Sequence, residues 1–283
     1  MRELNKQDLQ WALRRAPVDV LKLLKTFPGA VFVGGGFLRA CVAGEEVNDI
    51  DLFAPSIEAA KSYALILEAK AGDMGKLYQT DNAFTVKGYS VPIQIIHRWT
   101  YGTPEELMRS FDFTIAMAGF WWDAGQEGSP AATMSNFIAT SPPCPPRPYV
   151  EARPASWRSI CDDRFYEDLA AKRLRYTAPE RNEDAGGSLL RVLKFYQRGY
   201  RIPLDSLGAV TARLLNDVRA WAVLEGCASD REAQLAKVLT GLLREVDPNI
   251  DPSHIAHLPA EDYTHEADVD ARTPPEEVTN AQS

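Results

Sequence analysis

The 283-residue sequence has no long apolar run, no paired cysteine motif and few histidines. No stretch approaches the roughly 20 apolar residues that span a bilayer. The charged opening MRELNKQDLQWALRRAP also lacks the apolar core of a secretory signal. A cytoplasmic protein with no membrane partner is therefore expected. The four cysteines, Cys41, Cys144, Cys161 and Cys227, lie far apart without a C-x-x-C pair. That spacing argues against structural zinc and for reduced thiols. His97 follows an apolar strand with no cysteine or serine partner nearby, so it reads as structural rather than as a general base; His254, His257 and His265 fall in or near the C-terminal tail. Basic runs are absent as well.

The charge is unevenly distributed. The net is −8, yet Glu245 to Ser283 alone hold ten acidic residues against Arg272, a net of −9 that leaves residues 1–244 at +1. The tail reads as a solvated, disordered segment, with screening of a basic groove as the sharper alternative. Residues 151–201 carry eleven Lys and Arg against eight Asp and Glu, an excess that permits RNA contact without requiring it.

Hydrophobic content of 45% and charged content of 25% are those of a globular chain long enough to bury a core. Helical spacing runs through the first 26 residues, with Leu9, Leu13, Leu21 and Leu24 on apolar faces. AVFV predicts a strand, GFLRACVAG a short helix, and NDIDLF a second strand. Ser56 then caps a helix to about Lys70. KLYQT, NAFTVKG and SVPIQIIHRW follow as strands. Thr103, Pro104 and Glu106 make a capped helix start. FDFTIAMAGFWW reads as a buried strand and ATMSNFIAT as its partner; Trp121 and Trp122 stack on a base or pack in the core. The segment 140–154 holds six of the nineteen prolines and is neither helix nor central strand. Beyond it the periodicity is helical, over about 162–176, 184–198, 203–224 and 230–245. The expected organisation is an α+β unit (1–139), a proline-rich connection (140–154), a helical domain (155–245) and an acidic tail (246–283).

The chemistry concentrates in VFVGGGFLRACVAGEEVNDIDLF, residues 31–53. A dinucleotide-binding reading fits poorly, because the third small position after Gly34 and Gly36 holds Arg39 and the next strand carries two acids where one would serve a ribose. Asp49 and Asp51, two apart on a strand, point to one face while Ile50 faces the core. Two like charges so close raise each other's pKa unless a cation sits between them. Magnesium does so with one or two carboxylates plus substrate phosphates. A glycine turn at Gly35 and Gly36, presenting backbone N–H groups to the same place, holds a triphosphate. Together these are the parts for in-line attack at phosphorus. Two surface acids on a strand edge are the plain alternative.

The segment GGFLRACVAGEEVNDID resembles the first signature of class II tRNA nucleotidyltransferases (CCA-adding enzymes) and bacterial poly(A) polymerases: Gly35, Gly36, Arg39, Gly44, Asp49 and Asp51 fall in register. SFDFTIAMAGF is similar to the second signature through Asp112, Phe113, Thr114 and Ile115. YEDLAAKRLRY matches the next through Asp168, Leu169, Lys172 and Arg175, and SLLRVLKFYQRGYRI the last through Arg191, Lys194, Phe195 and Gly199. The departures are Ala40, Ser110, Phe111, Ala116 and Ser188, with Gln94 where the superfamily often has a third acid. The base-selecting signature has no clear counterpart.

The resemblance implies a polymerase-β-like nucleotidyltransferase head, a mixed sheet with helices, followed by an all-helical neck or body. It implies transfer of a nucleotide from an NTP to an RNA 3′ end, with one or two Mg2+ ions held by Asp49 and Asp51 and release of pyrophosphate. Gly35 and Gly36 would hold phosphates. Arg39 reaches a phosphate or pairs with Glu45 or Glu46. Asp112 lies near the nucleotide sugar or caps a turn. Lys172, Arg175, Arg191 and Lys194 face the cleft or form a solvated face. The departures keep two alternatives open: transfer to a protein or small molecule, and a degenerate NTP- or RNA-binding module.

Overall fold

The computed structural model describes residues 1–125, 153–179, 186–225 and 276–277. The amphipathic N-terminal stretch forms two helices, α1 (Lys6–Arg15) and α2 (Val18–Thr26), with Pro17 as the N-cap of the second. Proline lacks the N–H that a continuous helix would need there. Strand β1 (Phe32–Gly34) turns at Gly35 into α3 (Gly36–Ala43), which stops at the left-handed Gly44. Strand β2 (Ile50–Phe53) returns antiparallel to β1. Ser56 caps α4 (Ile57–Ala71), its hydroxyl accepting from the Ala59 N–H at 3.2 Å, as the sequence predicts.

Strands β3 (Lys76–Gln79), β4 (Ala83–Lys87) and β5 (Ile93–Ile96) form a meander, and β5 lies parallel to β2. Helix α5 (Pro104–Ser110) and a 3₁₀ turn at Thr114–Ala116 lead to β6 (Ala118–Asp123), which pairs with β7 (Ser156–Cys161). The mixed sheet has the order β7-β6-β1-β2-β5-β4-β3, and a two-residue strand, β8 (Glu276–Glu277), adds to its β3 edge. The chain continues into α6 (Phe165–Ala170), α7 (Gly186–Gln197) and α8 (Leu204–Glu225). The class is α+β, a mixed sheet with helices. No helix among the described residues is long and apolar enough to cross a membrane.

Alternation along the strands separates the two sheet faces. Val33, Ile50, Leu52, Phe84, Val86, Ile93, Ile95 and Phe120 are buried in the main core with residues of α1–α4. The opposite face carries Phe32 and Phe53, which pack with Leu107 and Met108 of α5, and it also carries Asp51. Burying the apolar face therefore leaves Asp51 facing away from the main core. Cys41 and Cys161 are free thiols in the core, and burial pushes both up to about 11.

Three expectations change. The strand expected over FDFTIAMAGFWW begins only at Ala118, because residues 112–114 pair with the chain after α6: the Thr114 N–H donates to the Arg175 carbonyl and the Thr177 N–H to that of Asp112. Among the described residues β6 pairs with β1 on one side and β7 on the other, so a segment expected to be helical from residue 155 opens with a sheet strand. The helix expected over 162–176 spans only Phe165–Ala170, since Lys172 takes a positive φ of 47° and the following residues run beside Arg201. The strand expected at ATMSNFIAT, the helix at 230–245, the proline-rich connection up to residue 152, and the tail apart from Glu276–Glu277 lie outside the described residues.

Candidate active site

The site forms where β1 hands over to α3 alongside β2. Gly34 is paired with Asp51, so the turn at Gly35 emerges directly beside that carboxylate. Gly35 has φ +74° and ψ −133°, a conformation essentially confined to glycine. A β-carbon there would stand 3.3 Å from the Phe111 ring and 3.7 Å from Asp51 Oδ2. The Gly35 N–H donates to the Ala118 carbonyl at 3.0 Å and so belongs to the sheet rather than to a ligand. The amides available to an anion shift one residue on, to Gly36 and the first turn of α3, whose N–H groups lack intrahelical acceptors and which no side chain caps.

Asp49, Asp51, Gly35, Gly36, Arg39, Asp112, Arg191 and Lys194 all line one cleft of about 370 Å³. Register places Gln94 of β5 directly beside Asp51, in the position where a third acid would complete a carboxylate trio. No cluster of three or more His, Cys, Asp or Glu side chains forms a metal-binding group among the described residues. The oxygen donors of Asp49 and Asp51 suit a hard divalent cation that takes its remaining ligands from water and substrate phosphates.

Helix α7 presents Arg191, Lys194 and Phe195 to the cleft, and Arg198 follows just past its end. The spacing i, i+3, i+4, i+7 puts all four on one helix face. Arg191 donates to Asp112 Oδ2 at 2.5 Å, which satisfies a carboxylate only 3% exposed and fastens α7 to the sheet domain. Arg39, 7% exposed, donates through Nε to Glu45 at 3.2 Å and lies over the Phe195 ring. Burial lowers the pKa of its guanidinium, and Glu45 acts in the opposite direction. The Tyr200 hydroxyl donates to the other Glu45 oxygen at 2.8 Å. Of the two alternatives for Arg39 the pairing with Glu45 is formed, and its Nη1 lies 3.6 Å from where a β-carbon on Gly36 would be.

Lys172 and Arg175 stand outside the cleft. Helix α6 ends before them, so helical spacing does not set their direction. Lys172 donates to the Arg198 carbonyl at 3.3 Å, and Arg175 to the fully buried Asp168 at 3.2 Å, which also accepts from the Thr114 hydroxyl. The His97 Nε2–H donates to the Thr80 carbonyl at 3.0 Å and the ring packs on Phe84, a structural position. Trp121 and Trp122 stay with the packing of β6 and β7. Sequence reasoning did not single out Trp99, Tyr101 or Arg198 as lining residues. Phe111 was visible only as a departure from the second signature.

The family model described as Gabija anti-defense 2 family protein matches residues 3–172. The chain belongs to this family. No curated protein matches it. Among solved structures, this Gabija anti-defense 2 family chain is similar to the Thermotoga maritima CCA-adding enzyme complexed with tRNA, at 19% identity and a TM-score of 0.46, covering 87% of this chain and 54% of that one. It is also similar to a CCA-adding enzyme in apo form II (21%, TM-score 0.49, 88% and 54%) and to a tRNA-processing enzyme with CTP (17%, TM-score 0.47, 80% and 52%). The family member spans about half the length of these structures.

Proposed function

We propose that the protein is a magnesium-dependent nucleotidyltransferase that moves a nucleotide from an NTP to an RNA 3′ end. One observation carries the reading: the Asp51 carboxylate abuts the Gly35–Gly36 turn, with Asp49, Arg191 and Lys194 in the same cleft. Carboxylates alone would be two surface acids, and a glycine turn alone would be a bend.

In this reading Asp49 and Asp51 hold Mg2+, which when bound screens phosphate charge and lowers the pKa of an acceptor hydroxyl. The first turn of α3 receives the triphosphate through its free amides and its dipole. Lys194 and Arg198 face the same cleft and oppose phosphate charge there. Arg191 is committed through one nitrogen to Asp112, so it positions α7 as well as contributing charge. The acceptor hydroxyl gives its proton to solvent, its oxygen attacks the α-phosphorus, the bond to the β-phosphate breaks, and pyrophosphate leaves.

The family name favours a second reading, in which the acceptor is a component of the Gabija defence. Incubation of the purified protein with each α-labelled NTP, Mg2+, and total RNA or cell lysate tests both. Label in RNA that disappears with Asp51→Asn supports the first reading. Label in a protein, equally dependent on Asp51, supports the second. No transfer to any acceptor, with NTP binding retained, overturns both and leaves a degenerate binding module.

A further inference from the structure

The cleft has two chemically different ends, and β2 runs between them. At the N-terminal end of β2 lie the glycine turn, Arg39 and Arg198. Toward its C-terminal end, Phe53 and Ile96 lead into an aromatic wall of Trp99 and Tyr101, while Phe111, packed on Phe53, reaches back to the Gly35 turn. Phe53 lies about 7 Å along the strand from Asp51, at the usual rise of two residues. The cations and helix amides claim the triphosphate for the first end, so the attacking group arrives from the second.

This wall is a held platform. The Arg98 N–H donates to the Asn82 carbonyl at 3.1 Å and its guanidinium to the Asn82 side chain at 3.1 Å. The same guanidinium lies 4.6 Å from the Trp99 ring centroid. Farther on, the Gly102 N–H donates to Glu106 at 3.1 Å, and Tyr101 packs edge-on against Phe53 at 6.0 Å. Trp99, Tyr101 and Ser110 also line a second cavity, of about 940 Å³, whose charged lining among the described residues is Arg98, Arg109 and Glu106. The two cavities thus meet at the same aromatic pair, and the charged residues lining the outer one are mostly cationic.

We infer that Trp99 and Tyr101 form the acceptor subsite: they stack the unpaired terminal base of a single-stranded RNA, whose preceding phosphates lie toward Arg98 and Arg109. This rests on the nucleotidyl-transfer reading and extends it to the part of the cleft that reading leaves unused. Stacking tolerates any base, which suits a cleft with no evident base-selecting motif on this wall. Aromatic faces with arginines fit a single strand better than an acidic peptide, which would use the cations and leave the rings idle.

The test uses the full chain, a short fluorescein-labelled single-stranded RNA of mixed sequence, and Mg2+ with a non-hydrolysable ATP analogue. Trp99→Ala and Tyr101→Ala should each weaken RNA binding about tenfold, a typical stacking loss per base, with ATP analogue binding unchanged. Trp99→Phe should retain most of the affinity and controls for folding. Absence of RNA binding by the wild type, an unchanged RNA affinity in Trp99→Ala, or loss of analogue binding in that variant each overturns the subsite. Trp99-dependent RNA binding with no label transfer would instead support the subsite while removing the transfer reading.

Discussion

Asp51 combines a core strand with an exposed chemistry: its neighbours Ile50 and Leu52 are fully buried while its own side chain faces the cleft. Asp51→Asn should abolish nucleotide transfer and remove the increase in melting temperature that Mg2+ and NTP give the wild type. In metal-free buffer the melting temperature of the same variant should stay close to that of wild type, because the lost repulsion from Asp49 is offset by the lost attraction to the cations of the cleft. Differential scanning fluorimetry with and without Mg2+ and NTP reads both effects. Gly35→Ala should cost about 1–3 kcal/mol of stability, since alanine must adopt a glycine-only conformation, and it crowds Phe111 and Asp51 as well. Denaturant unfolding measures the first effect, and a higher KM for NTP the second.

Among the elements, α7 is tied to the sheet domain through Arg191 to Asp112 and, through the chain just beyond it, Tyr200 to Glu45. Arg191→Met should destabilise the protein by about 1.5–3 kcal/mol, the worth of a hydrogen bond to a charged group; a 38% exposed arginine keeps this below the cost of breaking a fully buried pair. Urea unfolding checks the magnitude. Tyr200→Phe should cost about 1 kcal/mol and release one hold on Glu45, the residue that fixes Arg39. A rise in the KM for NTP with kcat little changed would show that Arg39 has lost its aim rather than that the helix has moved away.

For the whole molecule, alkaline pH is the direction of weakness. Burial raises the Cys41 and Cys161 thiols from 9.0 to about 11 and holds the Tyr166 and Tyr200 hydroxyls well above their usual range. The folded chain keeps protons that the unfolded chain releases, so stability falls with rising pH in that interval. The thiol contribution is whole below 9.0 and lost as pH climbs through about 11. Melting temperature should decline across that window, and less steeply in a Cys41→Ala, Cys161→Ala variant. Peptide mapping after iodoacetamide at mildly alkaline pH should find both thiols protected until the protein unfolds.

Strand periodicity and local capping chemistry were legible in the residues themselves. The D-x-D spacing kept Asp49 and Asp51 together at one cleft although β2 begins only at Ile50, Ser56 and Thr103 marked helix starts, and Gly35 marked the sharp turn, because each depends on neighbours in the chain. Even locally the reading was incomplete at Glu106, whose carboxylate reaches the Gly102 N–H rather than closing a box on Thr103. What depended on distant partners was not legible. Lys172 and Arg175 looked like cleft residues until α6 ended early, and β7 joined the sheet because β6 offered it an edge. Glu45 meets Tyr200, and Trp99 meets the cleft, only through packing across long separations in sequence. The sequence by itself determined a pair of carboxylates beside a glycine turn. Tertiary structure decided which cations face that pair and that an aromatic wall stands beyond it, since direction in space is set by the partner and not by the spacing.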